Sequence, residues 1–141
     1  MSFHITGGCM CGALRYHAEV DNQKISACHC KMCLRWAGGP YFAVRTLSPP
    51  RYEDEGQLRR RKTSAWAERG NCAACGSNMF WHLLGEDSHN IAAGTIDNLA
   101  DFSLAYEYFH DLKPSFYGFE QSTRQFTEAQ LLKQLPDDQG D

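Results

Sequence analysis

"NCAACG", residues 71–76, is the stretch that decides how this chain folds. Cys72 and Cys75 frame a C-x-x-C turn, and Gly76 behind them accepts the backbone geometry such a turn demands. A turn of this kind swings two sulfurs toward one point. Its counterpart is "GGCMCG", residues 7–12, which carries Cys9 and Cys11. In an extended strand, positions i and i+2 share a face, so both thiols reach one ion without bending the backbone. Two arms of two thiolates predict a closed tetrahedral zinc, the usual structural form. The arms lie far apart in sequence. A shared ion therefore staples the start of the chain to its middle, and much of its binding energy becomes folding energy.

"CHCKMC", residues 28–33, adds Cys28, Cys30 and Cys33. Three protein ligands on zinc leave a fourth position open for water or substrate, which marks a catalytic site. Four ligands plus three account for all seven cysteines. A partition that pairs the triplet with another arm remains open on spacing alone. Cys30 and Cys33 also form a C-x-x-C, which admits thiol redox chemistry, but no βαβ pattern surrounds them. His29 alternates away from its neighbours and reads as a supporting residue behind the ligands. His4, His17, His82, His89 and His110 are dispersed, without the i, i+4 spacing of a zincin helix, and read as strand or surface residues.

The chain has 141 residues, 43% of them hydrophobic, which suits one domain with a modest core. A net charge of −3 and a pI near 6.0 supply no basic field to recruit nucleic acid or an anionic membrane. The first residues lack the charged and apolar regions of a signal peptide, and no apolar run approaches the roughly 20 residues of a membrane span. The expected setting is cytoplasmic and reducing, where persistent disulfides are rare. Cysteines acting as small core residues would scatter, whereas these cluster.

Around the clusters, "GALRYHAEV" alternates as a strand, and "KISAC", "PYFAVR", "SNMFWHL", "HNIAAGTI" and "AYEYFH" are further strands. "QLRRRKTSAWAERG" reads as a hairpin arm or two short strands. "CKMCLRWAGG" holds a helical turn ended by Gly38 and Gly39. Near the C-terminus, Thr127 and Gln130 stand in the capping-box relation. Leu131, Leu132 and Leu135 give that helix an apolar face, and Pro136 stops it. The fold class is mainly β: one zinc-stapled β-sheet domain, residues 1–126, closed by a short C-terminal helix and tail, residues 127–141.

"GGCMCGALRY", "CHCKMCLRWAGGPYF", "RGNCAACGSNMFW" and "IAAGTID" together resemble the glutathione-dependent formaldehyde-activating enzyme family, whose domain also occurs in centromere protein V. The resemblance spans roughly residues 5–117. It implies an Mss4-like fold with a structural zinc on Cys9, Cys11, Cys72 and Cys75. A second, catalytic zinc falls on Cys28, Cys30 and Cys33, making two zinc ions per chain, with glutathione as co-substrate. The implied activity is condensation of glutathione with formaldehyde to S-(hydroxymethyl)glutathione, a carbon–sulfur lyase reaction run in reverse. Glu107 and Phe116 stand where many relatives carry histidine and tryptophan, and Lys31 where they carry a small residue.

Lys31 and Arg35, beside the ligands, are candidates for holding a glutathione carboxylate. Trp36 and Phe42 follow the open-site motif and are candidates for a pocket wall. "LRRRK", residues 58–62, reads as a solvated strand face beside the acidic "EDEG". The sequence thus points to a zinc enzyme acting on a small thiol and an aldehyde. The competing reading is a non-catalytic zinc module that carries glutathione or binds a partner.

Overall fold

The computed structural model describes residues 2–133. Eleven strands and two α-helices are present among them. Strands β1 (Phe3–Gly8), β2 (Arg15–Val20) and β5 (Arg51–Tyr52) form a three-stranded antiparallel sheet in the order β1-β2-β5. The larger sheet comprises β3 (Lys24–Cys28), β4 (Tyr41–Arg45), β6 (Leu58–Lys62), β7 (Ala67–Cys72), β8 (Asn78–Leu83), β9 (Asn90–Ala92), β10 (Ser103–Tyr108) and β11 (Arg124–Phe126). Its order is β11-β10-β3-β4-β9-β8-β7-β6. Only β10 pairs in parallel, with β3 on one side and β11 on the other. The fold is mainly β, as the alternating runs imply.

The alternation translates directly into burial. Along β2, Tyr16, Ala18 and Val20 are buried while Arg15, His17 and Glu19 are half-buried. These side chains join Ile5 and Leu14 against Val44, Met79, Phe80 and Ile91, so the main core draws on both sheets. Removing such apolar area from water is the dominant favourable term of folding. The residues 58–62 stretch forms β6, an outer strand of the large sheet whose four basic residues are exposed. A row of cations on an outer strand discourages pairing with another chain.

Two close approaches surround Gly7 in β1, one from β2 and one from the turn after β9. Gly7 bridges to Ile96, and a Cβ at Gly7 would lie 2.3 Å from the Thr95 backbone oxygen and 2.4 Å from the Tyr16 hydroxyl. Gly7→Ala is expected to destabilise the protein by about 1–3 kcal/mol through overpacking. Thermal denaturation checks this, and an unchanged midpoint would refute the tight contact.

Helix α1 (Lys31–Ala37) is longer than the single turn the sequence suggests, and Gly38 ends it in the left-handed conformation at φ +80°. Helix α2 (Glu128–Leu132) carries the expected capping box: Thr127 Oγ1 accepts from the Gln130 N–H, and Gln130 Oε1 accepts from the Thr127 N–H. Leu131 is half-buried and Leu132 exposed, while Leu135, Pro136 and the tail lie outside the described residues. "HNIAAGTI" is strand only over Asn90–Ala92, because a 3-10 turn at Ala93–Thr95 follows. Among the described residues no helix is long and apolar enough to cross a membrane.

Candidate metal centres and the cavity over the cysteine triplet

The four thiols of Cys9, Cys11, Cys72 and Cys75 converge, all within 4.8 Å of one another. Cys9 Sγ is 3.6 Å from Cys11 Sγ, which is 3.9 Å from Cys72 Sγ. Sulfurs at tetrahedral corners around a zinc with bonds of about 2.3 Å sit about 3.8 Å apart. Donor set and spacing therefore fit that ion.

The route by which Cys9 and Cys11 get there differs from strand alternation. Strand β1 ends at Gly8, and both cysteines lie in the turn beyond it. Gly12, at φ +84°, donates its N–H to the Cys9 carbonyl at 3.3 Å, and Cys9 N–H reaches the Leu14 carbonyl at 3.0 Å. The chain curls into a knuckle that mirrors the Cys72–Gly76 turn, where Gly76 also has φ +80°. Two such turns aim backbone N–H groups at sulfur: Leu14 N–H donates to Cys9 Sγ at 3.2 Å. The Ser77 hydroxyl and backbone bring Cys75 down to about 5, favouring its thiolate.

Cys28, Cys30 and Cys33 form a second cluster, again with all sulfurs within 4.8 Å. Cys28 is the last residue of β3, Cys30 caps the N-terminus of α1, and Cys33 is buried one turn on. Cys28 and Cys30 thus do not share one strand face, because the chain leaves the sheet at His29. Hydrogen bonds from the Cys28 and Cys33 thiols, with the Cys33 N–H and the nearby Arg69, pull Cys30 well below an ordinary thiol. Cys28 and Cys33 are held above it by sharing hydrogen bonds with the Cys30 sulfur and by burial. One negative charge in such a triplet is favoured and three require a cation, so the donor set suits a thiophilic metal.

His29 is fully buried and turned away from the three sulfurs. Burial pushes its pKa below the ordinary value and keeps the ring neutral. Its ring nitrogens bond Glu107 Oε1 and the Tyr117 hydroxyl, each at 2.7 Å. Burial alone would raise Glu107, but bonds from Thr123 and His29 outweigh it and hold the carboxyl low. Glu107, one of the departures from the family pattern, is therefore the buried anchor of the residue between two candidate ligands. Phe116, the other, is 82% exposed.

A cavity of about 280 Å³ opens over the triplet. Its wall includes Cys28, Cys30, Cys33, Arg69, Trp66 and Trp81. Trp36 and Phe42 do not line it: Trp36 packs on Tyr41, and Phe42 packs on Phe119. Lys31 and Arg35 are exposed on α1, and neither lines the cavity. The cation inside is Arg69, only 6% exposed. Its guanidinium lies 4.6 Å from the Trp36 ring centre, Nε donates to Thr63, and Nη1 has no partner. Among the described residues no carboxylate lies within ion-pair distance of it. The signal was present in "AERGNC": a charge sharing a strand face with buried Ala67 must itself be buried.

The profile of the glutathione-dependent formaldehyde-activating enzyme matches residues 4–112, which include both cysteine clusters. An uncharacterised lyase of Schizosaccharomyces pombe is 26% identical over 130 residues, covering 92% of this chain and 95% of its own. A crystal structure of a Rhodobacter sphaeroides protein superimposes with a TM-score of 0.58 at 19% identity, over 72% of this chain and 100% of that one. That likeness concerns the fold. With the profile spanning most of the chain and every clustered cysteine, the protein belongs to the glutathione-dependent formaldehyde-activating enzyme family.

Proposed function

We propose that the protein is a carbon–sulfur lyase-type enzyme that joins a small thiol, glutathione by family, to an aldehyde such as formaldehyde. The observation that carries this is a buried arginine with an unpartnered N–H in the same cavity as a three-cysteine cluster. Cys28, Cys30 and Cys33 would hold a zinc ion. Zinc so held supplies one thing, a lowered pKa for a thiol presented at its open position.

The rest falls to the chain. Trp66, Trp81 and Leu83 make the cavity largely apolar and shield a nucleophilic sulfur from water. The substrate thiol gives its proton to solvent, and its sulfur forms a bond to the carbonyl carbon. The C=O π pair moves to oxygen, which becomes an alkoxide and then takes a proton from water. Arg69 Nη1–H donates to that oxygen as charge develops. A fixed donor in a dry site stabilises such charge far more than water does. The cavity takes the thiol end and the aldehyde. The remainder of a tripeptide lies at its mouth, where exposed Arg45, paired at 3.7 Å with Glu86, would exchange that partner for a substrate carboxylate. We assign carboxylate binding to this mouth rather than to Lys31 or Arg35.

Glutathione and formaldehyde also react unaided. The test is a rate above that background that scales with protein concentration. Arg69→Met is expected to lower kcat/KM by about 100-fold or more with metal content unchanged. Glutathione binding without any protein-dependent rate would favour the carrier reading.

A further inference from the structure

The short chain between Cys28 and Cys30 is held by residues 107–123, a stretch that contains no cysteine. Strand β10 lies parallel to β3, with Glu107 opposite Ala27 and Tyr108 opposite Cys28. The His29 backbone N–H donates to the Tyr108 carbonyl at 3.0 Å. Both His29 ring nitrogens are bonded, one to Glu107 and one to the Tyr117 hydroxyl. The Phe119 ring centre lies 5.8 Å from that of His29. Thr123 completes the far side and donates to the second Glu107 oxygen at 2.5 Å. None of His29, Glu107, Tyr117 or Thr123 lines the cavity, so the cluster sits behind the triplet.

Glu107 sets the direction of each bond. An ionised carboxylate only accepts, so His29 Nε2 carries the ring proton and donates it. Nδ1 then presents a lone pair, and the Tyr117 hydroxyl donates to it. A fully satisfied buried network of this kind holds its members in one arrangement. The ring it fixes belongs to the residue at which the chain leaves the sheet. Cys28 ends β3 on one side of it, and Cys30 caps α1 on the other. A tilt of His29 therefore moves both sulfurs.

We propose that Glu107 and Tyr117 are positioning residues for the cysteine triplet. Acting through His29, they fix the spacing of the Cys28 and Cys30 sulfurs, and so set how tightly the triplet holds a metal ion. This role rests on the metal reading of Cys28, Cys30 and Cys33 proposed above. It makes residues 107–123 part of that site, although they supply no ligand. The coupling is reciprocal, so an ion on the triplet also steadies the 107–123 segment.

Co²⁺ titration of the full chain, with zinc kept on the other four cysteines and Cys30→Ser as the blank, reads the triplet through its thiolate-to-cobalt band in the near ultraviolet. Glu107→Leu removes the acceptor and is expected to weaken cobalt binding by about 10–100-fold, the range found for outer partners of metal ligands. It is also expected to lower kcat more than it raises KM. Glu107→Gln keeps an oxygen for His29 Nε2–H and is expected to stay near wild type. Tyr117→Phe keeps the ring and is expected to cost about tenfold, the low end of that range. Amide hydrogen exchange over residues 113–123 is expected to slow when the triplet is loaded, with no such change in Cys30→Ser. Wild-type cobalt affinity and spectrum in both Glu107→Leu and Tyr117→Phe, whatever their melting temperatures, would overturn the proposal. If Glu107→Leu fails to fold, wild-type affinity in Tyr117→Phe with unchanged exchange would do the same. A wild-type chain without the thiolate band would overturn the metal reading of the triplet, and this role with it.

Discussion

Cys72→Ser is expected to unfold the protein at ordinary temperature, a larger effect than the loss of one side chain suggests. Cys72 is fully buried and belongs to the main core beside Met79 and Phe80. Its thiol meets those of Cys9 and Cys11, which hang from the end of β1 in the other sheet. An ion held there ties the two sheets together. Structural zinc contributes about 10–16 kcal/mol in small domains, and whole-domain stability is about 5–15 kcal/mol. A serine hydroxyl ligates zinc poorly and leaves the other three thiolates without a closed shell. Circular dichroism melts with zinc counted per chain check this. A variant that keeps its full metal and melts within a few degrees of wild type would refute the staple.

Cys30→Ser is expected to do the opposite: one zinc fewer per chain, a fold that survives, and a protein-dependent rate reduced by about 1,000-fold or more. The triplet packs in a smaller cluster, with Tyr41 and Ala43, outside the main core. Cys30 is also the sulfur that its neighbours and Arg69 favour as a thiolate. Losing it would remove both a proposed ligand and the most readily ionised donor of the triplet. Metal-assisted activation of the substrate supplies several kcal/mol of such a rate, and each 1.36 kcal/mol is about tenfold. A variant with wild-type rate and one zinc fewer would show that the triplet is not where the reaction occurs.

The features legible in the sequence are those that local chemistry determines. Alternation marked β2, and Tyr16, Ala18 and Val20 are buried on schedule. The capping box at Thr127 and Gln130 needs only three residues of spacing. The cysteines were conspicuous because their clustering is itself unusual. What escaped notice depends on register. Arg69 is one charge among several until strand pairing sets it opposite Trp81. The bonds from Glu107 and Tyr117 to His29 follow no sequence motif, since a parallel strand and a distant loop bring these residues together. The Cys9–Cys11 segment is a turn rather than the strand its spacing suggests, because i, i+2 spacing fits both and Gly12 decides for the turn.

The parallel placement of β10 between β3 and β11 governs the order of assembly. Cys28, Cys30 and Cys33 lie close together in the chain, so the emerging polypeptide presents them early. Tyr108, Phe109 and Leu131, which wall the cavity above them, come from the last quarter of the sequence. Pairings of such separation close slowly, because the long intervening loop must be ordered first. During synthesis at about 5–20 residues per second, the triplet therefore stands open to oxidants for seconds before its roof arrives. Early capture of an ion by those thiols protects the nascent chain, and delayed capture invites a Cys30–Cys33 disulfide.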